Sequence, residues 1–357
     1  MKFSKLFVFA FISAVFFVSC TDRIDDAETP LGNYDKGALI LNQGGFGKGN
    51  ASVSYLSNDF VTQQNNIFSL VNPTITLGDV GQDIGLYQNL AFIILNGSNK
   101  IEVVNRYTMA HIATVSAGLD NPRYIAFANG KAFVTNWGDG GSKTDDYVAV
   151  LNLSTYSISA KIAVAEGPER IIENNAKLYV AHEGGFNFGK TISVINTSNN
   201  TLSTTITVGD VPKSLEVNNG FLYVLCGGKP SYSKAETAGS FVKINLSNNT
   251  IASTINFPDK THPSNLDIVD SDFYYTQGAA IYKSTLAALT LPTTHLFSTT
   301  SQGVYGVYSF AVKNDKIYVG DAGDYSSYGK IYVYSATGTL EKNYTAGVIP
   351  AGFYFNE

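Results

Sequence analysis

Few residues in this 357-residue chain combine types and spacing that could do covalent chemistry. The four histidines, His111, His182, His262 and His295, follow no metal-ligand spacing. His182 and Glu183 are adjacent ligating types, but neighbours on an extended strand point to opposite sides, and a catalytic zinc needs three protein ligands. Asp139, Asp145, Asp146, Asp321 and Asp324 are calcium-type ligands without EF-hand spacing. There is no G-x-S-x-G elbow. Cys226 has no evident base and reads as a small buried hydrophobe. The pairs Gly44-Gly45, Gly184-Gly185 and Gly227-Gly228 precede no helix, so they are turn glycines rather than phosphate loops. These residues point to a binding protein without a resident metal or cofactor, and not to an enzyme.

The elements that must position any binding residues come from a repeat. A short apolar strand recurs as GALILN, NLAFII, GKAFVTN, AKLYVAH, GFLYVLC, DFYYTQG and DKIYVG, seven copies in all. Aligned on Leu39, Phe92, Phe133, Tyr179, Tyr223, Tyr274 and Tyr318, they stand 53, 41, 46, 44, 51 and 44 residues apart. Upstream of every copy but the first lies a second element such as NPRYIAF, GPERII or VPKSLEV. Downstream come an alternating strand (YVAVLNL, TISVIN), a polar turn (NLST, NTSNN) and a last strand (LSTTITV). Periods of 20–50 residues with four short strands each predict an all-β, seven-bladed β-propeller. The first copy lacks its leading strand and the chain ends on a surplus one, Pro350 to Phe355. Pairing the two closes the ring without an open edge.

Residues 1–20 stand apart. Lys2 and Lys5 precede an apolar run too short to span a bilayer, followed by Ser19-Cys20, which is the layout of an export signal. The stretch resembles a bacterial lipobox, which implies that Cys20 is acylated and anchors the chain to a membrane. Residues 21–36 are polar and acidic and read as a flexible tether, with the propeller occupying 37–357. Without Lys2 and Lys5 the chain has 22 basic against 29 acidic residues, a net charge of −7 that argues against nucleic acid as a partner. A single remaining thiol rules out an internal disulfide framework.

The blades LYVAHEGG…KTISVINTSNNTLSTTITVGDVP and AFVTNWGDG…DYVAVLNLSTYSISAKIAVAEGP resemble the YVTN-type repeat of YncE-like propellers. The start, ALILNQGGFGKGNASVSYL, resembles YncE-like surface lipoproteins of Bacteroidota. That family includes cobalamin-capturing lipoproteins. The resemblance therefore implies an exported outer-membrane lipoprotein at the cell surface, with cobalamin or another corrinoid as ligand and a TonB-dependent transporter as partner.

Blade order assigns the loops to faces. Turns between strands one and two, and between three and four, are short and bland. Loops between strands two and three are long in five blades: NQGGFGKGN, NWGDGGSKTDD, HEGGFNFGK, CGGKPSYSKAETAGS and DAGDYSSYGK. They bring Phe46, Trp137, Asp139, His182, Phe186, Phe188, Tyr232, Tyr325 and Tyr328 to one face, where stiff aromatics give contact area at low entropy cost. Gln82, Asp83, Arg123, Glu169, Arg170, Lys213, Asn265 and Tyr305 fall at the adjoining channel mouth. The ligand-binding set is drawn from these two groups. The same face would equally suit a protein or glycan in an adhesion or scaffold role, whereas a lactonase- or quinoprotein-type activity would need a metal or cofactor set the sequence does not display.

Overall fold

The computed structural model describes residues 30–356. Seven four-stranded antiparallel sheets form seven blades, and the only α-helix among the described residues is the single turn Ile67–Val71. Within a blade, strand chemistry follows distance from the axis. The second strands, such as Leu90–Leu95, Lys177–His182 and Phe221–Cys226, are packed by neighbouring blades on both faces, so they are nearly continuous apolar runs. The fourth strands lie at the rim. Thr201–Thr207, TLSTTIT, is exposed at every position but one and is correspondingly polar.

Ring closure follows the sequence reading. Pro350–Asn356 pairs antiparallel with Gly37–Asn42 and becomes the innermost strand of the first blade, giving the order 350–356, 37–42, 52–57, 63–64. Arg106 of the second blade fastens this strand. Its Nη2 donates to the Phe355 carbonyl at 2.8 Å and its Nε to Asn356 Oδ1 at 2.7 Å. Asn356 Nδ2 in turn donates to the carbonyls of Tyr34 and Arg106, at 2.7 and 2.9 Å. The tether expected through residue 36 therefore ends earlier, because Tyr34 is buried and sits edge-on against Tyr55 with centroids 5.3 Å apart. Cys20, the export signal and most of the tether lie outside the described residues. No helix among the described residues is long and apolar enough to cross a membrane.

Hairpins between first and second strands turn on left-handed residues. In Asn129-Gly130 and Asn219-Gly220 both φ angles are positive, as a two-residue turn matched to strand twist requires. A second irregularity matters more for function. The innermost strands slip register near their starts, between Pro122 and Ile125, Pro168 and Ile171, and Pro212 and Ser214. Such a bulge re-aims side chains. Here it affects the residues just after each proline, at the channel.

Candidate functional site

At the mouth, the bulges of the third and fourth blades set Arg123 against Glu169. Arg123 donates from Nε to both Glu169 oxygens at 3.0 and 3.1 Å, and Nη2 lies 2.8 Å from Oε1. Thr135 Oγ1 braces both bulges, accepting from the Tyr124 N–H at 2.9 Å and donating to the Glu169 carbonyl at 3.0 Å. The other face of the Arg123 guanidinium lies 4.2 Å from the Trp137 ring centroid. Trp137 then meets Phe186 edge-on at 5.9 Å. Ion pair, indole and phenyl thus form one continuous stack from the channel to the surface, with Phe186 78% exposed.

The loop carrying Phe186 and Phe188 is held by close backbone approach. A Cβ at Gly167 would lie 1.9 Å from the Gly185 nitrogen, so only glycine permits this contact. Phe188 reaches the next blade's loop, where its ring is 6.3 Å from that of Tyr232. Across the ring, Tyr325 packs edge-on to Tyr308 at 5.8 Å, and the Tyr308 hydroxyl donates to Gln43 Oε1.

The expected ligand-binding residues separate into groups. Arg123, Trp137 and Phe186 form the stack, and Phe188 and Tyr232 form a separate ring pair. Lys213 lies at the mouth with its stem against Gly227, and no described residue accepts a hydrogen bond from its ammonium. Tyr325 belongs to the Tyr308 side, and Tyr308, which sequence reading passed over for Tyr305, occupies the inner position. Tyr305 is 98% exposed and has no ring partner among the described residues. Phe46 is exposed on a loop whose Gly47 and Gly49 N–H groups donate to Asp79. Tyr328 borders a separate 430 Å³ groove with Asn50, Ser69 and Pro73. Asp139 is exposed, and its N–H donates to Asp145.

Two placements correct the sequence reading. His182 is not a loop residue: it ends the second strand, is 1% exposed, and its Nε2 is 2.8 Å from Ser193 Oγ. Strand alternation turns it into the blade interior, where burial pushes its pKa down to about 4 and keeps it neutral. That removes His182 from the ligand-facing set. Arg170 lies deeper than the rim. It stacks 4.3 Å from the Tyr124 ring, near the buried Asp83, whose Oδ1 accepts from the Tyr354 hydroxyl at 3.0 Å.

Glu183, by contrast, turns towards the channel groups. Burial first and Glu169 second raise its pKa to about 7, against the opposing pull of Lys213, Arg123 and Arg170. Further acids that the sequence reading missed, Glu216 and Asp267, line the channel below. A charged residue inside otherwise apolar stretches (SLEV, NLDI) of two consecutive innermost strands was the available signal.

The profile of the family described as "Domain of unknown function (DUF5074)" matches residues 36–356. The chain belongs to that family. No curated protein matches the sequence. Among solved structures, this DUF5074 chain resembles a quinonprotein alcohol dehydrogenase-like protein from Bacteroides thetaiotaomicron at 14% identity and TM-score 0.66, covering 91% of this chain and 79% of the other. A functionally unknown protein from Desulfotomaculum acetoxidans matches at 10% identity and TM-score 0.66, with 90% and 98% coverage. A putative 6-phosphogluconolactonase from Bacteroides fragilis matches at 13% identity and TM-score 0.64, with 91% and 99% coverage. At these identities the likeness carries the fold of the DUF5074 chain and not its chemistry.

Proposed function

We propose that this protein is an exported, lipid-anchored surface propeller of the YncE-like kind, which captures a small molecule on its loop-rich face and passes it to an outer-membrane transporter. The observation that carries this reading is the stack of Glu169, Arg123, Trp137 and Phe186, which runs from the channel to the surface, with Phe188 of the same loop paired to Tyr232 of the next blade. A broad aromatic platform beside a charged mouth suits a large, flat, amide-fringed ligand, since the rings supply apolar area while Lys213 and Glu183 remain available for polar contacts. A corrinoid such as cobalamin has that chemistry, and membrane attachment through Cys20 would keep the captured ligand near a TonB-dependent transporter.

Calorimetric titration of the protein lacking residues 1–20 with cyanocobalamin tests the reading. One-to-one binding that weakens at least tenfold in Trp137→Ala supports it. Absence of heat at micromolar protein removes cobalamin and returns the face to a protein- or glycan-binding role.

A further inference from the structure

Below the mouth the axis opens into a cavity of about 320 Å³, within the range of small-molecule pockets. Its wall is unusual in pairing two orphaned charges of opposite sign. The protein surrounds Glu216 and leaves it half-buried, open onto this cavity, yet no described residue donates a hydrogen bond to its carboxylate. The Arg170 guanidinium, on the same cavity, makes no hydrogen bond to any described residue either; its contacts are the Tyr124 ring and the fields of nearby acids. A half-buried carboxylate without a partner is costly, whereas Arg170 is exposed to the channel water, and the two do not bond each other. Beside Glu216 stands Asp267, one of whose oxygens is already committed to the Val312 N–H at 2.7 Å. Phe310, Phe353 and Phe355 supply the apolar part of the wall.

We propose that this axial cavity is a second binding site, distinct from the loop face, for an apolar α-amino acid: its carboxylate on Arg170, its ammonium on Glu216 and Asp267, and its side chain on the three phenylalanines. One molecule carrying both charges satisfies both orphans, which a simple amine or a simple acid cannot do. A metal ion fits less well, since calcium needs six to eight oxygens and no group of three ligating side chains gathers among the described residues.

The acids' protonation supports the ammonium assignment. Burial, then the charge of Asp267, raises the Glu216 pKa to about 8 despite Arg170, the one cation acting on it. Burial raises that of Asp267 to about 6, opposed by the Val312 and Ile268 N–H groups and by Lys313. A bound ammonium would add to the partial compensation that Arg170 gives Glu216 and Lys313 gives Asp267, and displace a proton from Glu216.

The test is calorimetric titration of the folded protein lacking residues 1–20, at pH 7, with L-phenylalanine, phenethylamine and 3-phenylpropionate. The proposal expects phenylalanine to bind, each analogue missing one charge to bind at least tenfold more weakly, and phenylalanine heats to differ between phosphate and Tris because a proton is released. Glu216→Gln should cost tenfold and remove the buffer dependence. Circular dichroism checks that this variant and Trp137→Ala are folded. No phenylalanine binding overturns the proposal, as does equal binding of an analogue. Loss on Trp137→Ala without loss on Glu216→Gln would place the amino acid on the loop face and overturn it too.

Discussion

Arg123 bonds Glu169 through two nitrogens on one side and covers Trp137 on the other, so a buried ion pair and an aromatic platform share one guanidinium. Glu169 is 4% exposed, and removing it leaves Arg123 enclosed without its counter-charge. Breaking such a pair costs about 3–5 kcal/mol. Glu169→Ala should lower the unfolding free energy from urea melts by that amount and release the Trp137 stack, read as a shift in the fluorescence of the chain's single tryptophan. Unchanged emission would mean that Trp137 holds its position without Arg123.

Stability should fall as pH rises, because of the axial acids. Glu216 and Glu183 have folded pKa values raised to about 8 and about 7, so folding favours their protonated forms. A raised carboxyl loses stability from the unfolded pKa, about 4.3, up through the folded one. Thermal melts should show Tm decreasing between about pH 5 and 8. Glu216→Gln should flatten that slope, raising Tm at pH 8 and leaving it near wild type at pH 5. A variant whose Tm tracks wild type across the range would contradict the assignment.

Cys226 is fully buried, and burial pushes its thiol up to about 12. The thiolate is the reactive species, so the native protein should resist a disulfide-forming thiol reagent and react stoichiometrically in denaturant. Rapid native labelling would show that the fifth blade opens locally.

Arg106→Ala tests the fastening of the last strand. It removes donors to Phe355 and Asn356 at 2.8 and 2.7 Å, and hydrogen bonds from a charged group are worth about 1.5–3 kcal/mol each. The variant should unfold at lower urea and show faster amide exchange in residues 37–42 and 350–356 than in the fourth blade. Uniform exchange would indicate that backbone pairing alone holds the ring.

The blades were legible because period and turn chemistry repeat: Asn129-Gly130 and Asn219-Gly220 mark hairpins wherever they occur, and apolar runs such as NLAFII can only be strands packed on both sides. The surplus strand at Pro350 predicted ring closure from strand counting alone. The site was only half legible. Trp137 and Phe186 were placed on one face by blade order, but their stacking on Arg123 depends on bulges that no local pattern announces. His182 was misplaced because the loop's polar character hid the strand's last, inward position. The sequence points to Tyr305 rather than Tyr308 because the connection between the sixth and seventh blades lacks a proline to set the register. Glu216 and Asp267 stood in plain sight as charges in apolar strands, but they acquire meaning only when seven strands converge on one axis.

The borrowed strand also governs the order of assembly. Leu39 pairs with Tyr354, across nearly the whole length of the propeller, whereas the other six blades are built from consecutive strands. Loop-closure entropy delays such distant pairings, so blades two to seven can form as local units while the first waits for the last residues to arrive. A chain cut short before Pro350 would hold six complete blades and an unfilled slot. The exposed Gly37–Asn42 edge would invite the closing strand of another molecule, making strand exchange between copies the characteristic failure of truncated forms.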